Sequence, residues 1–535
     1  MDRREFIAYG ASALLKAKSN PAEEAQPVVG ASSNVQALAS VGKTNIVMIM
    51  ADQLRQDCVG VYGNRVIRTP HLDRLGNEGI IFEQAYSSTP SCTPARSALM
   101  TGMSPWKHGM LGYSNIATNP YPVEKARALS EAGYFTMAVG KNHYYPITNP
   151  HGYNHMVTDE HCSYWFDQSG PQTAQSYEPR CDYESWFWSQ MPDKDPHKTG
   201  LGWNDRTAKP FVFPEEMHAT YWTGTTAVRF LEQYERKDPF FLKVSFIRPH
   251  SPYDPPERFF KMYEKADLPK AEAGEWAVKY EPRSSERDDL WHGKLSDEMI
   301  RNSRQGYYGS VSFMDEQVGR ILEVLERRGI LESTLIVFFS DHGDMLGDQN
   351  MWRKSYAYEQ SAHIPMLMRV PKSMGLRRGQ RVEGTVELRD VLPTFLEVAG
   401  VDAPKSMDGR SMLELVRNGK EGWREYLDLE HDLTYDRTNH WTALTDGRWK
   451  YIFHAFDGQE QLFDLKKDPN ELNDLVAKSS SGKDLAMWRG RMVEHLRERG
   501  PEWVEGDRLM LRPKSMLHSP NFPGYVPMEK IAGWR

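Results

Sequence analysis

The chain has 535 residues, 39% of them hydrophobic and 26% charged, and carries a net charge of -7. That length suffices for one large domain with a smaller companion, and the charge excludes a nucleic-acid-sized basic surface. Four cysteines, Cys58, Cys92, Cys162 and Cys181, are too few for a disulfide framework at this size, and no apolar run approaches the ~18 residues of a membrane span. Cys162 and Cys181 are close enough in sequence to pair, yet equally compatible with two free thiols.

The first 43 residues stand apart. Arg3-Arg4-Glu5-Phe6 precedes a short apolar run from Ile7 to Leu15, and Ala37-Leu38-Ala39 offers small residues for cleavage. This resembles a twin-arginine export signal and predicts a periplasmic or secreted protein; the alternative is a disordered tail on a cytoplasmic one.

From Thr44 to Met50 a continuous apolar run ends at Asp52-Gln53, the pattern of a strand buried on both faces with polar groups at its carboxyl end. Helices are expected near His71–Glu78, from Cys92 and over Val123–Ala132, followed by a strand over Tyr134–Val139 that delivers Gly140-Lys141-Asn142-His143. The aromatic-rich stretch from Tyr144 to Ala208 is too long for a plain connection and reads as a functional insertion. Beyond it come a helix over Glu215–Gln233, a strand over Phe240–Phe246 leading to Pro249-His250, and a long helix over Asp297–Arg328. A strand over Thr334–Phe339 then ends at Asp341-His342, and a loop with Trp352 and Lys354 leads to a strand over Ile364–Val370 and a helix over Glu387–Ala399. Strands alternating with helices predict an α/β domain with a mostly parallel central sheet flanked by helices. After Pro404, short strands near Tyr426, Trp441, Trp449 and Gln461 and a helix over Asp484–Arg499 predict a smaller carboxyl-terminal unit with an antiparallel sheet. The expected organisation is a leader over 1–43, a catalytic domain over 44–404, and this subdomain with a terminal arm over 405–535.

Four strand ends thus offer chemistry: Asp52-Gln53, Lys141 with His143, His250, and Asp341-His342. In one parallel sheet they share an edge. Asp52 and Asp341 supply hard oxygens, Gln53 a neutral one and His342 a nitrogen, a set suited to one divalent cation. Arg96, Lys141, His143, His250 and Lys354 add the positive charge that phosphate or sulfate demands. Cys92 precedes Pro94 and Arg96 at a helix start, where the dipole favours an unusually reactive side chain, although a buried structural cysteine fits that motif alone equally well.

Asn45 to Gln53, Thr69 to Leu75, Cys92-Thr93-Pro94-Ala95-Arg96 with Leu99-Met100-Thr101-Gly102, Gly140 to His143, Pro249-His250, Asp341 to Lys354 and Gln461 to Leu475 resemble, in order, the landmarks of type I sulfatases of the alkaline phosphatase superfamily. The resemblance runs from residue 44 into the carboxyl-terminal sheet. It implies that Cys92 is oxidised by a maturation enzyme, either formylglycine-generating or anaerobic, to Cα-formylglycine. Its hydrated aldehyde would attack sulfur and pass through a formylglycine-sulfate intermediate. It further implies that Asp52, Gln53, Asp341 and His342, with the residue-92 side chain, bind calcium, with magnesium or manganese as substitutes. Arg96 and Lys141 would hold the formylglycine hydroxyls, His143 take a proton, and His250 and Lys354 bind sulfate and protonate the departing alcohol.

Gln53 and His342 stand where many members have aspartate and asparagine, Ala95 where serine is frequent, and Asn142 where tryptophan is common. A phosphodiesterase or phosphonate monoester hydrolase of the same superfamily is the closest rival; Lys141 with His143 favours the sulfatase. A non-catalytic binder of sulfated glycans is the rival from another class. Tyr164, Trp165, Trp186, Trp188 and Trp203, with Glu430-His431-Asp432, Arg437 and His440-Trp441, point to a sulfated carbohydrate as substrate.

Overall fold

The computed structural model describes residues 44–116, 119–160, 174, 179–285, 290–476 and 482–525. The leader, Cys162, Tyr164 and Trp165 lie outside these residues. Strands β1 (Asn45–Asp52), β2 (Ile80–Tyr86), β3 (Phe135–Gly140), β4 (His155–Thr158), β5 (Phe240–Pro249), β6 (Thr334–Ser340), β7 (Met366–Arg369) and β8 (Gln380–Glu387) form one sheet in the order β4-β3-β5-β1-β6-β7-β2-β8. Only β7 runs antiparallel to its neighbours, so the sheet is mostly parallel as expected.

Side chains of β1 alternate between two apolar layers, because successive residues of a strand point to opposite faces. Val47, Ile49 and Ala51 join the layer of α1 (Pro70–Asn77), α4 (Asp182–Gln190), α5 (Ala219–Gln233) and α6 (Asp297–Arg327). Ile46, Met48 and Met50 join the layer of α2 (Cys92–Thr101), α3 (Lys125–Glu131), α7 (Val391–Ala399) and α8 (Met412–Asn418). The sheet is therefore covered on both faces, which is what its continuous apolar strands require.

Three strands escape the sequence reading for identifiable reasons. In β2 only Ile80, Ile81 and Phe82 are a contiguous apolar run; β4 has four residues; and β8, Gln-Arg-Val-Glu-Gly-Thr-Val-Glu, is a sheet edge with partly exposed polar positions. The helix expected from Glu387 begins at Val391, because Glu387 still belongs to β8 and caps a short turn over Leu388–Asp390.

A second sheet holds β9 (Leu427–His431), β10 (Trp441–Thr445), β11 (Trp449–His454) and β12 (Glu460–Asp464), antiparallel throughout in the order β12-β11-β10-β9. One face packs Leu444, Tyr451 and Leu462 against Trp488, Met492 and Leu496 of α9 (Gly482–Arg497). The other packs Trp441, Ala443, Ile452 and Phe463 against Met345, Met351, Tyr356 and Tyr358, in the segment that carries Lys354. Thus the small sheet forms a backing for one loop of the large domain.

Candidate active site

Strand register assembles the site. Gly140 is level with Ser245, Asp52 with Pro249, and Ala51 with Ser340, so Lys141, His250 and Asp341 all leave the sheet beside Asp52. Lys141 N–H donates to Ser245 O (3.0 Å) and Asp341 N–H to Ala51 O (3.3 Å), continuing the ladder past the strands. Gly140, at φ +90°, would place a Cβ 2.2 Å from Ser245 O, so only glycine lets β3 deliver Lys141 here.

Cys92 opens α2, whose residues are all buried. Its Sγ lies 3.2 Å from His342 Nε2, 3.1 Å from Lys354 Nζ, 3.9 Å from Lys141 Nζ and 3.7 Å from both Asp52 oxygens. Burial and Asp52 push the thiol up, but Lys141, Lys354 and His342 outweigh them and hold it below the ordinary cysteine range. This sulfur occupies the position of the oxygen that a formylglycine side chain would present. One turn on, the Arg96 guanidinium donates to Asp341 Oδ2 (3.0 Å), Asp52 Oδ2 (3.2 Å), Lys141 O (2.9 Å) and Ser245 Oγ (3.1 Å). Lys141 Nζ forms an ion pair with Asp52. Although burial opposes it, Asp52 is held well below the usual carboxylate range by Lys141, His250, Lys354 and His342.

The donor set fits a divalent cation. Ligand atoms of Asp52, Cys92, Asp341 and His342 all lie within 4.8 Å of one another. His342 Nδ1 is 2.9 Å from Gly343 O, so Nδ1 carries a proton there and Nε2 is left as an acceptor. Nε2 nevertheless faces Asp52 Oδ1 at 3.5 Å and Asp341 Oδ1 at 3.6 Å. Acceptors facing acceptors in a buried site call for a positive charge between them. The imidazole is held above its ordinary value: burial and Lys354 lower it, and Asp341 and Cys92 together outweigh them. Gln53, at φ +70°, completes the group. Its N–H donates to Asp341 (3.2 Å), its side-chain N–H to Asp344 (2.5 Å), and its Oε1 accepts from Lys354 (3.0 Å).

Lys354 rides on a strained loop. Arg353 and Ser355 on either side have φ of +68° and +78°. Ser355 N–H donates to Pro90 O (2.9 Å), while Ser355 O accepts from Asn439 Nδ2 (3.0 Å) and Trp441 Nε1 (3.1 Å) of the second sheet. His250 stacks on Trp203 with ring centroids 5.1 Å apart, and its Nδ1 lies 2.8 Å from Ser251 O. Burial first and Lys354 next push His250 well below the ordinary imidazole range; burial, Lys141 and Arg96 do the same to His143. Both are therefore neutral near pH 7.

All ten sequence-predicted residues thus surround one point. The predicted substrate contacts fare differently. Trp186 and Trp188 pack into the core layer of α4, Glu430 is paired with Arg499, His431 stacks on Trp441, Asp432 lies 3.3 Å from His440, and Arg437 is exposed. Of the described aromatics proposed for substrate binding, Trp203 reaches a site residue through His250. Three supporting residues were not among those predicted. Ser245 receives Arg96, and Asp344 receives Gln53 and Tyr253 OH (2.7 Å). Glu160 accepts from the amides of Asn142 and His143, the latter at 3.0 Å, and so holds His143 at φ +59°.

The sulfatase family model matches residues 44–401, and the model for the carboxyl-terminal part of N-sulphoglucosamine sulphohydrolase matches residues 347–498. An arylsulfatase of Clostridium perfringens is 36% identical over 472 residues, covering 88% of this chain and 97% of that protein. A choline-sulfatase of Rhizobium meliloti is 30% identical, covering 84% and 85% respectively. The solved structure of the phosphonate monoester hydrolase of Agrobacterium radiobacter has a TM-score of 0.68 at 23% identity, covering 86% of this chain and 97% of that one. A buried Cys92 ringed by cations beside carboxylates that could hold a metal agrees with these matches, and the chain belongs to the sulfatase family, as a sulfuric ester hydrolase.

Proposed function

We propose that the chain hydrolyses sulfate esters of carbohydrates at a formylglycine made from Cys92 by a maturation enzyme. The observation that carries this reading is the position of Cys92 Sγ, within 4 Å of Lys141, Lys354, His342 and Asp52 at the start of a buried helix. Hydrated formylglycine supplies one hydroxyl to attack sulfur and a second through which the aldehyde re-forms as sulfate is expelled. Asp52, Gln53, Asp341 and His342 would hold calcium or a related divalent ion, which supplies Lewis-acid stabilisation of charge on nucleophile and sulfate.

The remaining roles belong to side chains. Arg96 ties Asp52 to Asp341 and, with Lys141, orients the residue-92 side chain. His143, neutral at neutral pH, accepts a proton on the side opposite the departing alcohol. Lys354 faces that alcohol and supplies its proton, a contribution of ~10²–10⁴-fold for one positioned acid, with neutral His250 beside it. Trp203 offers an apolar face beside His250 on which a sugar ring can stack. Export to the periplasm or beyond, suggested by Arg3-Arg4, completes the reading.

Two measurements test it. Mass spectrometry of the peptide containing Cys92 should show the aldehyde in active protein; an unmodified thiol would refute the nucleophile. Sulfate release should be faster from sulfated mono- or oligosaccharides than phosphate release from diesters. The reverse order would favour the phosphonate monoester or phosphodiester hydrolase, the reading that the Gln53 and His342 metal set also suits. Specific binding of sulfated glycans without any turnover would leave only a binder.

A further inference from the structure

Tyr435 lies in the turn between β9 and β10 and is absent from every motif discussed above. It is a bulky residue at φ +69°, in a backbone region that such side chains rarely adopt. The turn is latched in place: Thr434 and Asp436 form a bridge, Thr438 N–H donates to Asp436 Oδ1 (2.8 Å), and Asn439 Nδ2 donates to Ser355 O beside Lys354. The Tyr435 ring is flanked by the Arg353 guanidinium 5.5 Å from its centroid and by the nearly parallel ring of Trp291 at 6.5 Å.

The residue is partly buried, and its hydroxyl is fully buried and finds no hydrogen-bond partner among the described residues. A hydroxyl in that state costs stability unless something polar meets it. After burial, the groups that most affect this phenol are Lys354, Arg353, Cys92 and Asp344, which line or support the cleft. Strain, an unmet hydroxyl and proximity to the lysine assigned to the departing alcohol converge on one residue.

We infer that Tyr435 is a substrate-contacting specificity residue, whose hydroxyl bonds a polar substituent on the carbon next to the sulfated one. The inference rests on the sulfatase reading and narrows its substrate class to sulfate esters with such a neighbour, as vicinal hydroxyls provide in a sugar. A plain aryl sulfate leaves the tyrosine unmet.

The test uses matured, metal-replete enzyme and two chromogenic probes, para-nitrophenyl sulfate and nitrocatechol sulfate, the second of which carries a hydroxyl ortho to the sulfate. Tyr435→Phe removes one oxygen. It should lower kcat/KM for nitrocatechol sulfate by about tenfold, the worth of one well-made hydrogen bond, and for para-nitrophenyl sulfate by less than about twofold. Its melting temperature should hold or rise, because no protein partner loses a bond. Equal losses on both probes, no loss on nitrocatechol sulfate, or a fall of several degrees in melting temperature would each overturn the inference alone. Wild-type enzyme that cleaves neither sulfate but cleaves bis-para-nitrophenyl phosphate would overturn the sulfatase reading, and this inference with it.

Discussion

The wall of the cleft that carries Asp52, Asp341 and Lys141 is made of strand ends, whereas the wall that carries Lys354 and Tyr435 is made of loop. In the first, each charged group leaves the buried end of a strand at a level fixed by backbone pairing, and Arg96 spans the ends of β1, β3, β5 and β6. In the second, Arg353, Ser355 and Tyr435 all sit at positive φ, a cost of roughly 1–3 kcal/mol each, and are held from outside by the small sheet. The difference teaches where each property resides. In the proposed reaction the carboxylates and Lys141 take their geometry from the large sheet itself, while Lys354 and Tyr435 take theirs from loops held by the second sheet.

The strongest challenge to this division is removal of the nucleophile. Cys92→Ala should cut sulfate release at least about 10⁴-fold while leaving the fold intact, and residual activity within tenfold of wild type would break the assignment. Lys354→Ala should cost ~10²–10⁴-fold in kcat, with a greater loss for esters of weakly acidic alcohols than for para-nitrophenyl sulfate. An equal loss across alcohols would move Lys354 from the leaving group to the sulfate.

Chelation tests the strand-end wall alone. Stripping the metal should abolish turnover and lower the melting temperature, both returning with calcium, because a ligand at a hundred times its Kd stabilises by about 2.7 kcal/mol. Trp441→Phe keeps an aromatic side chain but loses both the N–H bonded to Ser355 O and part of the buried indole; it should reduce kcat by about tenfold, lower the melting temperature, and leave the calcium-induced rise in that temperature unchanged. A smaller calcium response would show that the two walls are not separable.

The mildest effect concerns pH. Burial raises Glu160 to about 7, against the pull of the Asn142 and His143 amides and of Arg96. Its folded value exceeds its unfolded one, so the native state holds the extra proton and this group's share of stability declines as pH rises from 4.5 to about 7. The carboxylate that clamps His143 exists only above that range. Activity should therefore show an acidic limb near pH 7 that flattens in Glu160→Gln.

The strand-end wall was legible in the sequence because long apolar runs announce buried strands and polar residues follow them directly, as at Met50-Ala51-Asp52 and Phe339-Ser340-Asp341. Cys92, Pro94 and Arg96 share one helical turn, which spacing alone conveys. The loop wall was legible only at Lys354, through its place in the loop beside Asp341 and through family resemblance. Nothing in local pattern marks Tyr435, Glu160 or Ser245, because their importance arises from contacts across 82, 17 and 149 positions with Arg353, His143 and Arg96. The tryptophans of α4 misled for the complementary reason: Trp186 and Trp188 flank Phe187 in a helix that fills the core, and an aromatic side chain reads the same whether it will face a sugar or a neighbour.

One feature of α2 sets an order of events. Cys92, Pro94 and Arg96 are all buried, with Arg96 committed to four acceptors at the ends of strands from distant parts of the chain. An enzyme that must grip this segment as an extended peptide can do so only while those strands are still apart. In the proposed reading, the oxidation of Cys92 and the closure of the sheet would therefore compete, and the lifetime of the unfolded segment, rather than the affinity of the finished protein, would decide what fraction of molecules carries the aldehyde.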